Sequence, residues 1–135
     1  MNLLTEDQTV LLLLEYLKTQ GYSIESYCLG SQRGFDIIAI KNGKKMIVEV
    51  KGAKASDDSP IKKREFFSSG QIKTHFGKAI VKSIETKLKF PNDFVAIAHP
   101  MNDSILNAIS SLIPELKKLG ISHFWVETNG NVISN

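Results

Sequence analysis

One cysteine, Cys28, and four prolines in 135 residues exclude several architectures at once. A lone thiol forms no internal disulfide and no cysteine-rich zinc centre, and Cys28 is expected to be a small buried residue. No apolar run approaches the ~18–20 residues that a membrane span needs. No His-x-x-x-His or similar pair marks a zinc site, and internal repeats and low-complexity segments are missing. The first residues lack a basic segment and a cleavage site, so no signal peptide is expected. A cytoplasmic protein without a membrane partner is the expectation that follows.

What is present is ordinary for a globular chain: 42% hydrophobic and 23% charged residues, in a length that suits one domain over 1–135 with a real core. The net charge of +3 says little, but its distribution is uneven. Residues 41–89 hold 13 of the 17 Lys/Arg and five of the 14 acids, giving +8 there and −5 elsewhere. A basic surface of this kind suits a polyanion, although a merely solvated surface accounts for it as well.

The densest signal lies in residues 34–52. Two runs rich in β-branched residues flank Asn42-Gly43, the pair favoured in a two-residue type I′ hairpin turn. In that register Lys41 faces Lys44 and Asp36 faces Glu49, with Lys51 on the same face as both carboxylates. Ile38, Ile40 and Ile47 share that face, while Phe35, Ile37, Ala39, Met46, Val48 and Val50 take the other. Apolar residues on both faces predict central strands covered on both sides. Two carboxylates directly opposite each other repel; a cation between them, with the Lys51 ammonium beside it, removes the conflict. The pattern points to a metal site.

The flanking chain supplies the other elements. Thr5 to Gln20 predicts a helix capped by Thr5 and ended by Gly21, with Val10, Leu13, Leu14 and Leu17 as its stripe and Leu11 and Leu12 widening it. Tyr22 to Leu29 reads as an outer strand, followed by the glycine-bracketed loop Gly30-Ser31-Gln32-Arg33-Gly34. Ala53 to Glu65 is polar and loop-like; its Lys62-Lys63-Arg64 triplet either clamps a phosphate backbone or is solvated. Ser69 is placed to cap a helix to about Leu88, buried through Ile72, Phe76, Ile80, Ile84 and Leu88. Gln71, His75, Lys78 and Lys82 form a separate polar and basic stripe, flanked by Lys73. Asp93 to His99 suits a central strand. Ser104 to Leu119 predicts a helix kinked or split at Pro114, and Asn129-Gly130 a second hairpin, whose Phe124, Trp125 and Val126 suit a sheet edge or dimer surface better than base stacking.

Gly34-Phe35-Asp36 followed by Glu49-Val50-Lys51 resembles the signature of the PD-(D/E)XK nuclease superfamily, above all archaeal Holliday-junction resolvases and Mrr-like nucleases. Their motif hairpin also reads Asp-Ile-Ile-Ala, a short turn, then Glu-x-Lys; Phe35 stands where the superfamily name has proline. The resemblance implies a restriction-endonuclease-like α/β fold with an α-β-β-β-α-β core, a mixed sheet flanked by helices, here extended by a C-terminal helix and β-hairpin.

It also implies an activity: metal-dependent hydrolysis of phosphodiester bonds in DNA. Asp36, Glu49 and the Val50 carbonyl would be oxygen ligands for Mg²⁺ or Mn²⁺, and Lys51 would hold or deprotonate the attacking water or stabilise the charge that develops. Gln71 resembles a catalytic-site glutamine found on this helix in part of the superfamily. A glutamate of the first helix often joins the metal; Glu6 and Glu15 are the candidates, Glu6 favoured because it follows the core-facing stripe, with capping and helix-dipole work as its other reading. Candidate DNA contacts are Gln32 and Arg33 in the loop, Lys62, Lys63 and Arg64, and Lys73, His75, Lys78 and Lys82 on the helix. A two-strand cut would call for a homodimer. The want of a separate recognition domain suggests structure-guided cleavage or a targeting partner. A nucleic-acid-binding module without turnover, and an unrelated α/β domain holding a structural cation, remain the alternatives.

Overall fold

The computed structural model describes residues 3–55 and 67–135. In chain order the elements are α1 (Glu6–Thr19), β1 (Ser23–Tyr27), β2 (Ile37–Lys41), β3 (Lys44–Val50), α2 (Ser69–Lys89), β4 (Phe94–Pro100), α3 (Asp103–Ile109), a 3₁₀ turn (Ser110–Leu112), α4 (Ile113–Lys118), β5 (Ile121–Val126) and β6 (Val132–Ser134). The strands form one six-stranded sheet in sequential order. β3, β4 and β5 run parallel, and the remaining neighbours are antiparallel. Among the described residues no helix is long and apolar enough to cross a membrane.

Asn42 and Gly43 both have positive φ, 54° and 74°, the conformation that a type I′ turn requires. The turn fixes the register: Lys41 pairs with Lys44 and Ile37 with Val48. Ile37, Ala39, Met46, Val48 and Val50 then enter the core under α1, together with Ala96, Ala98, Phe124 and Val126. On the other face Ile97, Ile121 and Trp125 pack under α2, α3 and α4. Phe35 departs from the alternation because it precedes β2; its ring meets that of Phe90 after α2, with centroids 6.1 Å apart.

A complete capping box starts α1: Thr5 Oγ1 accepts the Gln8 N–H at 3.2 Å, and Gln8 Oε1 accepts the Thr5 N–H at 2.9 Å. Such a cap is worth about 1 kcal/mol. Leu11, expected to widen the buried stripe, is instead exposed, and Leu12 is only half-buried.

Helix α2 begins one residue earlier than its sequence predicts, with Ser68 rather than Ser69 as the cap. Its buried stripe also differs. Ile72 and Phe76 are buried, but the line continues through Ala79, Ser83 and Thr86, leaving Ile84 and Leu88 exposed. Each four-residue step overshoots a full turn by about 40°, so a strict i+4 row winds off the packed face. Alternating steps of four and three stay on it.

Pro114 splits the next helical stretch into α3, the 3₁₀ turn and α4. The last hairpin closes through a three-residue loop centred on Asn129, with Glu127 and Asn131 bonded across it and Gly130 at φ 91°, rather than through a two-residue Asn-Gly turn. Phe124, Trp125 and Val126 are core residues, and Cys28 is half-buried, its thiol donating to the Arg33 carbonyl at 3.4 Å.

Candidate functional site

Where β2 begins and β3 ends, the hairpin brings two carboxyl groups together. Asp36 lies just before β2, and its Oδ2 accepts the Val50 N–H at 2.8 Å. That bond holds the side chain over the end of the ladder, next to Glu49, with which it shares a side-chain hydrogen bond. Burial, then the Glu49 charge, raises the Asp36 pKa to about 7, against the opposing pull of the Val50 N–H. Two close carboxyls in a half-buried place do not ionise together easily, so near neutral pH Asp36 is still partly protonated.

Two ammonium groups face the pair. Lys51 Nζ stands 3.7 Å from Glu49 Oε2, and Lys82 Nζ reaches from α2 to 3.2 Å from Glu49 Oε1. The Glu49 side chain is 12% exposed, so both of its oxygens are spent on cations in a poorly solvated spot. Burial alone works to lower the Lys82 pKa, yet Glu49, with Asp36 and Glu6 behind it, prevails and raises it.

The start of α1 closes the site. Ala53 donates its N–H to the Leu4 carbonyl at 2.7 Å, tying the chain after Lys51 to the residues before the helix. Glu6 therefore enters the field of the cluster: desolvation raises its pKa, Lys51 opposes this, and Glu49 adds to it. Asp7 accepts the Gly30 N–H at 2.9 Å, which draws the loop after β1 toward the same place. Glu15 points elsewhere, exposed and paired with Lys18 at 3.4 Å.

A cleft of about 680 Å³ opens here, lined among others by Glu6, Gly30, Ser31, Lys51, Lys54 and His75. His75 is held below its usual pKa by burial and by the Lys51 and Lys78 charges. The α2 stripe of the sequence thus contributes His75 to the cleft and Lys82 to Glu49. Gln71 does different work: as the third residue of α2 its Oε1 accepts the Ser68 N–H at 2.8 Å in a capping box. Lys73 and Lys78 are exposed on the same helix, and Arg33 on the loop. Gln32 is folded back onto the Leu29 N–H at 2.7 Å. Lys62, Lys63 and Arg64 lie outside the described residues.

Two residues that the sequence did not single out lie under this cleft. His99 on β4 and His123 on β5 are buried, with Nδ1 and Nε2 2.9 Å apart. The rings stack with centroids 5.1 Å apart, between Phe76 and Trp125. Burial, then the mutual field, drives His99 well below its ordinary pKa, and burial takes His123 to about 3. Both rings are therefore neutral, one donating to the other. The available signal was a histidine inside an apolar strand run at an inward position, which needs a polar partner.

The donor set can be tested against a divalent cation. Among the described residues no three His, Cys, Asp or Glu side chains gather closely enough to enclose an ion. Mg²⁺ seldom asks for an all-protein cage: one or two carboxylates suffice, with water and substrate phosphate completing the shell. Asp36 and Glu49 are a pair of that kind, and the raised Asp36 pKa marks crowded negative charge that a cation would relieve. The residues fit.

No protein-family model matches the sequence, and no curated protein does. Among solved structures, the chain is similar to an XisH family protein from Nostoc punctiforme. The TM-score is 0.59 over 93% of this chain and 95% of that one, at 15% sequence identity. At such low identity the likeness speaks for architecture: a mixed six-stranded α/β sheet flanked by helices, consistent with the restriction-endonuclease-like fold.

Proposed function

We propose that the chain is a metal-dependent endonuclease of the PD-(D/E)XK type, hydrolysing phosphodiester bonds in DNA. The observation that carries this reading is the pairing of Asp36 with Glu49, with Lys51, which also lines the cleft beside Glu6 and His75, 3.7 Å from Glu49. Asp36, Glu49 and the Val50 carbonyl would hold Mg²⁺ or Mn²⁺, with Glu6 rather than Glu15 adding negative charge from the helix. The bound ion would supply a Lewis acid at the scissile phosphate.

The protein's own groups do the rest. Lys51, kept in place by the strand, offers its ammonium to a water or to negative charge developing on phosphorus. His75 faces the cleft as a neutral imidazole, able to accept a proton or a phosphate hydrogen bond. Lys73, Lys78, Lys82, Arg33 and the Lys62-Lys63-Arg64 triplet supply positive charge for the backbone of DNA. Gln71 has its side-chain oxygen engaged in the cap, which leaves its amide NH2 to orient a water or a phosphate. A homodimer would allow both strands to be cut, and a targeting partner could supply the choice of site.

One observation favours a second reading, a DNA-binding module without turnover: Lys51 and Lys82 both pair with Glu49, and Asp36 accepts the Val50 N–H, so both carboxyl groups have partners without a metal. Nicking of supercoiled plasmid, single strands, a fork and a four-way junction, with Mg²⁺, Mn²⁺ or EDTA, decides between them. Metal-dependent cleavage lost in Lys51→Ala supports the nuclease. Equal DNA binding by wild type and Lys51→Ala with no cleavage by either sinks it in favour of the binding module.

A further inference from the structure

Glu49 has two cationic partners of different kinds. Lys51 follows it by two residues on the same face of the hairpin, and its side chain is 22% exposed. It is the more buried of the two side chains. Lys82 comes from the middle of α2 on a long stem, its side chain 46% exposed, and makes the shorter contact, 3.2 Å to Oε1. That oxygen belongs to the carboxylate best placed to receive a divalent cation together with Asp36.

We propose that Lys82 is a positioning residue that stands in for the metal at Glu49 when no ion is bound, and that a divalent cation displaces it toward the cleft. The inference rests on the metal-dependent reading above. A monovalent ammonium and a divalent ion cannot share one carboxylate oxygen without strong repulsion. Lys82 yields because it is the more exposed cation and can reach water without breaking backbone structure. Once displaced, it lies in line with His75 and Lys78 on the basic stripe of α2, where a phosphate oxygen is the nearest chemical replacement for Glu49. Loading with metal thereby creates a DNA contact, and by linkage DNA favours metal loading to the same degree. Without metal, the same ion pair keeps the acidic pair compact and limits the positive charge offered to DNA.

The test is Mn²⁺ binding without DNA, followed at pH 8 by the electron paramagnetic resonance signal of free Mn²⁺. It compares wild type with Lys82→Met, Lys82→Arg and Lys78→Met. Lys78→Met removes a charge from the same stripe, one that acts on His75. Lys82→Met is expected to bind Mn²⁺ about threefold tighter or more, the scale of a partly exposed ion pair, while Lys82→Arg stays near wild type and Lys78→Met changes less. Wild type binding Mn²⁺ with Lys82→Met no tighter than Lys78→Met overturns the displacement proposal alone. Wild type failing to bind Mn²⁺ overturns the metal-dependent reading and this proposal with it.

Discussion

Gly52 lies against the backbone of Glu6: a Cβ added at residue 52 would sit 2.5 Å from the Glu6 nitrogen and 2.9 Å from the Thr5 carbonyl carbon. The glycine needs no unusual backbone angle; it needs empty space, because the first turn of α1 rests on the chain leaving β3. Gly52→Ala must push α1 and its Glu6 away from the carboxylate pair. We expect a destabilisation of about 1–3 kcal/mol in urea unfolding, the usual cost of overpacking, together with weaker Mn²⁺ binding. Unchanged stability would mean that the helix start shifts freely and does not fix Glu6.

Asp36 has its pKa raised to about 7, so the folded state binds its proton more tightly than the unfolded chain does. The stabilising effect is complete below the ordinary carboxylate range and is lost as pH rises through about 7. Asp36→Asn cannot lose that proton. Its melting temperature, measured in EDTA, should exceed that of wild type at pH 8 and match it more nearly at pH 5. Mg²⁺ should stabilise wild type at pH 8 and leave Asp36→Asn almost unaffected.

The His99–His123 pair has the opposite sign. Both rings are neutral in the fold, with His123 near 3, whereas in the unfolded chain they take up protons near the ordinary histidine value of 6.5. Their contribution is full above that value and falls away as pH drops from there toward 3. In an Asp36→Asn background, which removes the opposing titration, thermal melts from pH 7 to pH 4 should fall steeply. Adding His99→Leu and His123→Met together should flatten that slope. The single change His123→Leu leaves a buried His99 nitrogen without its partner and should cost about 1–3 kcal/mol at pH 7.

Lys73 and Lys78 are read as phosphate-binding groups on the outer side of α2. Replacing either with alanine should weaken binding to all DNA sequences alike. Each replacement should also make the plot of log K against log salt shallower by about one, the share of a single lysine–phosphate pair. Fluorescence anisotropy with Ca²⁺ in place of Mg²⁺, over a range of KCl concentrations, measures this. A slope unchanged in both variants would put the DNA on another face.

The hairpin was legible because its turn is local: Asn42-Gly43 dictates one geometry, and side-chain alternation then places Asp36, Glu49 and Lys51 together. The cap of α1 was legible for the same reason. What escaped was set by tertiary contact. Ile84 and Leu88 satisfy a helical spacing but not the face that α2 packs, which Ala79, Ser83 and Thr86 fill. Sequence spacing put Gln71 on the stripe with Lys82, yet the cap at Ser68 takes its side-chain oxygen. The preference for Glu6 over Glu15 was already readable from the core-facing stripe of α1, whereas the histidine pair needed two parallel strands brought side by side from distant parts of the chain.

The Asn42-Gly43 turn also bears on the order of folding. Strands joined by two residues close a loop at small entropic cost and can pair within microseconds. β4 reaches β3 only after the entire crossover from Lys51 to Asp93 has been laid down. The acidic edge is therefore expected to form early, while Lys82 and the histidine pair arrive with the later parallel pairing. In refolding experiments, low-millimolar Mg²⁺ should speed the early phase by neutralising that edge and leave the later one unchanged.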